Sequence, residues 1–198
     1  DDFILGFEKK EDAMRVMKVL PKRFEKYKLN LHPEKTKIVD LFTKKGEGDR
    51  SFDFLGFTHY MGKSRKGRPI LKRKTSKKKL NKAIKDTGEW IRCNRHRRIT
   101  EVISELNVKL TGHYNYYGIT FNSKGIRSYF EAIVRLLHKW LNRRGGKSIW
   151  NWEKFVNLIL HWLPLNRPKI YHSSLAKPIS EEPYAGKPLV RICGGAVR

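Results

Sequence analysis

The sequence contains little cysteine and no long apolar run. Cys93 and Cys193 are the only cysteines, too few for a disulfide framework or a four-cysteine zinc site, so a reducing compartment is expected. The seven histidines form no zinc-binding pattern with them. No stretch approaches the roughly 18 apolar residues of a membrane-spanning helix, which argues against a membrane protein.

Acidic side chains are also scarce. Among 198 residues, 19 aspartates and glutamates stand against 44 lysines and arginines, giving a net charge of +25. Residues 63–98 alone hold sixteen basic and two acidic side chains. Chains this basic usually bind a polyanion, and nucleic acid is favoured over an acidic lipid surface because no apolar segment accompanies the charge.

The first 62 residues predict a small α+β layer. Helical spacing of apolar residues covers 13–27, with Asp12 as a candidate N-cap and Pro21 predicting a kink or two short helices. Strand patterns occupy residues 3–7, 36–42 and 52–57, and a turn is expected at 46–49. This order is typical of one helix packed on a short antiparallel sheet.

The remaining chain predicts an all-α bundle followed by a tail. Helices are expected at about 77–93, from 99 to about 110, at 126–141 ending at Gly145-Gly146, and at 150–162. Gly88 weakens the first of these helices. The aromatic, glycine-rich segment 110–118 predicts a surface loop, and from Ile170 the chain is expected to be extended or poorly ordered. Core or helix–helix contacts are expected for Trp140, Trp150, Trp152 and Trp162, and hydrogen bonds rather than metal ligation for His113 and His138.

Two adjacent carboxylates, Asp1 and Asp2, precede the first strand. Like charges this close raise each other's pKa unless a cation neutralises them, so the pair is a candidate metal site. Adjacent acids are more often solvated loop residues, and the pair alone is a weak signal.

Four segments together resemble one family. The first seven residues, Asp1-Asp2-Phe3-Ile4-Leu5-Gly6-Phe7, resemble the second half of the reverse-transcriptase hairpin, and residues 29–37 and 52–57 are similar to the next two blocks of bacterial retroelement enzymes. Leu106-Asn107 followed by 112–117 resembles the maturase region of group II intron-encoded proteins. Gly194-Gly195 resembles the ends of some relatives. Because the blocks follow the family order, the chain resembles a C-terminal fragment of a group II intron reverse transcriptase/maturase, starting at the catalytic pair.

The resemblance implies three parts and one reaction. Residues 1–62 would be the end of the polymerase palm, 63–165 the thumb/maturase domain and 166–198 an extended or poorly ordered tail. The complete protein would be an RNA-directed DNA polymerase that also binds intron RNA and assists splicing. The family needs an earlier aspartate strand and fingers, so the chain alone is expected to be inactive.

The resemblance also implies the site residues. Asp1 and Asp2 would hold Mg²⁺ in a two-metal site completed by an upstream aspartate. Lys35 would reach the nucleotide phosphates or the primer, with a solvated lysine at a strand entrance as the alternative. Gly56 would approach the primer backbone, although ordinary core packing is the stronger interpretation of its segment.

Basic and aromatic residues predict the RNA contacts. The candidates are Lys63, Arg65, Lys66, Arg68, Lys72, Arg73, Lys77, Lys78, Gly112, Asn115 and Tyr116. Lysines at 77, 78, 79, 82 and 85 cannot share one helical face, so only some would touch RNA. The tyrosines of 114–117 can stack on bases or can close the helical bundle, and a split role is expected.

Partners implied by the resemblance are intron RNA, a template–primer duplex, a DNA primer or target, and deoxynucleotides, in the bacterial cytoplasm without a membrane. Two alternatives stay open. The chain could be a stand-alone RNA-binding splicing cofactor without catalysis, or the remnant of a decayed element. Replacing Asp1 by Asn would leave RNA affinity intact in a binding module.

Overall fold

The computed structural model describes residues 2–42, 49–145, 150–173 and 190–197. The chain divides into two units, Asp1–Arg73 with Pro178–Arg198, and Lys74–Lys177. The first break therefore follows Arg73, whereas the composition changes at Gly62, because part of the basic segment adds a strand to the first unit. Asp1 and most of the turn expected at 46–49 lie outside the described residues.

A four-stranded antiparallel sheet and one helix form the start of the first unit. The strands are β1 (Asp2–Phe7), β2 (Asn30–Leu31), β3 (Lys37–Asp40) and β7 (Val190–Val197), and the helix α1 spans Lys10–Glu25. Strand β7 pairs with β1 and with both β2 and β3, placing Asp2 opposite Gly195 and Lys37 opposite Cys193. Ala13 of α1 is fully buried against apolar residues of β1 and β3.

Helix α1 begins earlier than the sequence indicates and ends at Glu25, two residues before the predicted end. Its N-cap is Lys9, so the prediction that Asp12 caps it is wrong, and Asp12 lies in the first turn, 3.6 Å from Arg15. A carboxylate there is stabilised by the positive end of the helix dipole. Pro21 lies inside a single helix rather than between two, since the tertiary packing of the apolar face outweighs one lost backbone hydrogen bond.

A second, three-stranded sheet follows. Strand β4 (Ser51–Phe54) pairs with β5 (Phe57–Lys63), which pairs with β6 (Pro69–Thr75). The single strand expected over 52–57 is therefore wrong. Leu55 and Gly56 have φ angles of 47° and 81°, the two positive values that a tight type I′ hairpin turn requires. Phe52 is buried with Val39 and Leu41 as the core of this region.

The basic segment contributes β6, which the sequence analysis missed. The start of the basic segment, residues 63–69, is typical of a loop, but only residues 64–68 form one, closed by the Ser64 N–H donating to the Arg68 carbonyl at 2.8 Å. Gly67 has a φ of 77° at its tip. Charged side chains obscure the alternation of β6, as is common for a strand at the edge of a sheet.

The second unit is helical. Its elements are α2 (Lys77–Asn94), α3 (Ile99–Tyr117), α4 (Ser123–Leu141), α5 (Trp152–Asn157) and a π-helical turn, Leu158–Trp162. The helices expected near 77–93, 126–141 and 150–162 are thus confirmed, except that α4 ends at Leu141, with Asn142 as its C-cap, rather than at the glycine pair. Their shared core includes Ile91, Leu106, Ile133, Leu137 and Phe155.

Helix α3 corrects the loop predicted at 110–118. Leu106, Leu110 and Tyr114 are all buried at helical spacing, so the helix continues through the aromatic segment to Tyr117. Gly88 has a packing role inside α2. A Cβ atom at this position would lie 2.9 Å from Leu136 Cδ1 of α4, so glycine allows the two helices to approach closely.

The segment after the π-helical turn runs extended along α3 as far as residue 173. The Tyr171 and His172 N–H groups donate to the Gly118 carbonyl at 2.8 and 3.0 Å. Of the tail expected to be extended or poorly ordered, residues 190–197 are extended and form β7, while 174–189 lie outside the described residues. Trp162 is 81% exposed, so core packing is wrong for this tryptophan. Among the described helices, none is long and apolar enough to cross a membrane.

Candidate nucleic-acid interface

A cavity of about 510 Å³ in the first unit brings two predicted site residues together. Asp2 at the start of β1 and Lys35 both line it. Lys35 stands in the turn before β3, as predicted, where its N–H donates to the His32 carbonyl at 3.3 Å. The pocket joins residues far apart in sequence because β1 and β3 flank β7 in the same sheet.

Positive and negative side chains alternate around this cavity. Lys37 donates to Asp49 at 2.7 Å, and this hydrogen bond and charge hold the pKa of the Asp49 carboxyl below its usual range. Glu34 and Asp53 also line the wall, and Thr58 donates to Asp53. The described residues nevertheless contain no group of three or more histidine, cysteine or acidic side chains able to hold a metal ion. The described part thus does not by itself fit the implied Mg²⁺ site.

The hairpin β5–β6 carries the first predicted RNA contacts. Its tip exposes Lys63, Arg65, Lys66 and Arg68, and Arg73 is exposed on β6. Lys72 differs from these, because its aliphatic stem packs over Gly62, where a Cβ atom would meet Lys72 Cδ at 2.7 Å. Gly56 lies at the turn of the other hairpin, β4–β5, and is half-buried.

Lys77 and Lys78 lie exposed in the first turn of α2. Ser76 caps this helix, accepting from the Lys79 N–H at 3.4 Å, and the first turn contains no acidic residue. Cations at a helix N-terminus oppose the macrodipole. The lysines therefore cost folding stability where they stand, which an approaching anion would offset.

Gly112, Asn115 and Tyr116 lie on one exposed face of α3 rather than in a loop. Tyr116 is 52% exposed, and Val108 on the same face is 72% exposed. Tyr114 and Tyr117 instead face the interior: Tyr114 is buried, and burial raises its pKa. The split role expected for the tyrosines matches this division of exposed and buried rings.

His113 is held by stacking. Its ring centroid lies 3.7 Å from that of Tyr129 and 4.6 Å from that of Tyr117. Among the described residues its buried Nε2 atom has no hydrogen-bond partner, and burial lowers its pKa to about 4. Nε2 of His113 thus does not make the hydrogen bond expected for this histidine, whereas His138 Nε2 does lie 2.9 Å from the Trp150 carbonyl.

Two asparagines organise the second unit, and sequence reasoning missed these roles. Asn107 accepts from the Asn166 N–H at 2.8 Å and donates to the Pro164 carbonyl at 2.9 Å, tying the extended segment to α3. Asn122 is fully buried, accepts from the Thr75 N–H and donates to Thr75 Oγ1 and the Tyr117 carbonyl, each at 2.8 Å. A polar residue inside an apolar pattern was the only signal available.

Comparison with known proteins identifies the helical unit. Residues 77–156 match the family model described as group II intron, maturase-specific domain. The match begins with α2 and reaches into α5, and it indicates a maturase-type role in group II intron splicing. No curated protein and no solved structure matches the chain. The resemblance to group II intron maturases that the sequence indicates is confirmed over residues 77–156, which match the maturase-specific domain.

Proposed function

We propose that the protein binds folded group II intron RNA in the bacterial cytoplasm and stabilises the form that splices. The observation that carries this proposal is the overlap of the maturase-specific match, 77–156, with exposed lysines and arginines, most of which have no acidic partner among the described residues. Each phosphate that a lysine or arginine neutralises releases condensed counterions, so such a surface binds RNA strongly without base contacts.

The proposal is tested with the whole chain and a self-splicing group II intron transcript at limiting Mg²⁺. We expect the protein to raise the splicing rate and to bind the folded transcript more tightly than an unstructured RNA of equal length. The matched variant pair is Lys78→Gln, in the exposed first turn of α2, and Lys82→Gln, whose lysine already pairs with Asp86 at 2.9 Å. Lys78→Gln should weaken binding more. Equal affinity for both RNAs, with no change in splicing rate, would contradict the maturase role.

Reverse transcription is a second candidate, supported by the cavity that Asp2 and Lys35 share. An exposed lysine ammonium is a suitable point-charge partner for nucleotide phosphates, and Asp2 supplies one carboxylate beside it. Since the described residues do not complete a metal site, no catalytic step is assigned here. The proposal concerns nucleotide and primer binding in this cavity by a protein of the reverse-transcriptase class.

Primer extension on an RNA template and deoxynucleotide binding separate this candidate from the first. We expect the isolated chain to give no extension, but Lys35→Ala to weaken deoxynucleotide binding more than Lys37→Ala, because Lys37 is engaged by Asp49. Asp2→Asn should leave intron-RNA affinity unchanged. If the whole chain shows no measurable deoxynucleotide binding, the polymerase proposal is rejected while the maturase proposal stands.

A further inference from the structure

Three cations surround one indole ring in the second unit. Arg95 Cζ, Lys139 Nζ and Arg143 Cζ lie 5.7, 5.3 and 5.3 Å from the ring centroid of Trp140. We call these four residues the Trp140 cluster. Trp140 packs against the helical core, which fixes the ring, and cation–π attraction orders the charges around it.

Part of this charge has a structural purpose. The cluster forms where α2 and α4 both end, and cations are stabilised at helix C-termini. Arg95 Nη1 donates to the Arg92 carbonyl at 3.1 Å, and the Arg144 guanidinium donates to the carbonyls of Arg95 and Arg97. Arg95 and Arg144 thereby build the frame of the site.

The remaining cations have no such explanation. Lys139 and Arg143 are exposed, and among the described residues no carboxylate lies within ion-pair distance of them. By contrast, three cations of α2 and of the turn before α3 are paired: Lys82 with Asp86, Arg92 with Glu89, and Arg97 with Glu101 and Glu105. Arg95 Nε is buried with no acceptor in the described residues. Uncompensated like charges gathered on one ring repel one another, and a bound anion removes that cost.

The ring geometry selects the kind of anion. Three cations already occupy the surroundings of Trp140, so the indole is not a free platform for stacking a base. Guanidinium and ammonium groups are suited to phosphate oxygens. We propose that Lys139 and Arg143 clamp the phosphate backbone of structured RNA while Trp140 holds them in place. This assignment rests on the proposed maturase function and adds a contact site to it.

The test compares two double variants of the whole chain with equal net charge. Lys139→Gln/Arg143→Gln removes exposed cations of the clamp, and Lys82→Gln/Arg92→Gln removes two cations that are paired with acids. The probe is a group II intron transcript, and binding is measured across a range of salt concentrations. Each lost phosphate contact lowers the slope of log K against log salt by roughly 0.7–0.9, so the clamp variant should lose about 1.5 and the control far less.

Trp140→Phe provides a variant that keeps the cations. A smaller ring weakens cation–π attraction, so affinity should fall while the salt slope stays near the wild-type value. Equal slopes for the two double variants, with steep wild-type binding, would overturn the clamp and leave the maturase proposal intact. If the wild-type chain showed no salt-dependent RNA binding, both proposals would be overturned. Circular dichroism confirms that each variant is folded.

Discussion

Acidification should destabilise the helical unit through His113. This side chain is mostly buried between Tyr129 and Tyr117, and its Nε2 atom has no described acceptor that could stabilise a protonated ring. Burial lowers its pKa from an ordinary 6.5 to about 4. The unfolded chain therefore binds a proton more readily than the folded one between these two values.

The direction and size of the pH effect on stability follow from the difference between the two pKa values. Above pH 6.5 the histidine is neutral in both states and contributes its full stabilisation, which is lost as the pH falls from 6.5 towards 4. At pH 5 the loss in free energy of unfolding is at most about 2 kcal/mol, because the ring keeps some solvent contact that reduces the effect. A loss of this size is a large part of a domain's net stability.

Tryptophan fluorescence isolates the relevant unit, because all five tryptophans lie between residues 74 and 177. Urea unfolding is measured from pH 7.5 to 4.5 for the wild type and for His113→Phe, which keeps an aromatic ring against Tyr129 but cannot be protonated. Carboxylates titrate in both proteins, so the difference between the two curves reports His113. Parallel curves over this range would show that the histidine is not the acid-sensitive group.

Three further predictions concern the helices. Asn122→Ala should lower the free energy of unfolding by about 2–4 kcal/mol, because two buried partner groups of Thr75 and Tyr117 lose their hydrogen bonds; urea denaturation measures this, and a change below 0.5 kcal/mol would contradict it. Lys78→Glu should raise the free energy of unfolding by about 0.3–1 kcal/mol through the α2 dipole, and it should weaken RNA binding. If urea unfolding and RNA binding showed that stability and affinity both rise or both fall, this prediction would be wrong. Gly88→Ala should lower the free energy of unfolding by about 1–3 kcal/mol through contact with Leu136. Gly112→Ala should raise it by up to about 1 kcal/mol, because a Cβ atom there would meet nothing within 4 Å. A melting temperature that shifts in the same direction for both variants would contradict the packing argument.

The helices were predictable from sequence because their apolar residues recur at helical spacing. The end of α3 was not predictable, because the glycine and tyrosines of 112–117 resemble a loop. In the structure, Tyr114 is buried in the helical core. The β4–β5 turn was missed because Leu55 adopts a positive φ that an apolar run does not indicate. Strand β7 pairs with residues 150 or more positions away, and local patterns carry no information about such pairing.

The candidate sites likewise depend on contacts between residues that are far apart in the sequence. Asp2 and Lys35 were each singled out by a local motif, yet only the sheet order places them in one cavity. The Trp140 cluster joins the ends of two helices that are separated by the whole of α3, so neither segment alone indicates it. The basic composition predicted an RNA-binding surface, but which cations are paired with acids required the packed helices.

The pattern of pairing gives the charge a functional meaning. Along the middle of α2 and the start of α3, acids follow the ordinary helical spacing and neutralise neighbouring cations, as in Lys82–Asp86 and Arg97–Glu101. At the first turn of α2 the order is reversed, with lysines where acids would stabilise the helix. The charges of α2 thus stabilise the helix in its middle and destabilise it in its first turn. A bound ligand of opposite charge can offset this local loss of stability. Since this departure in the first turn of α2 consists of lysines, it supports the proposed binding of a polyanion.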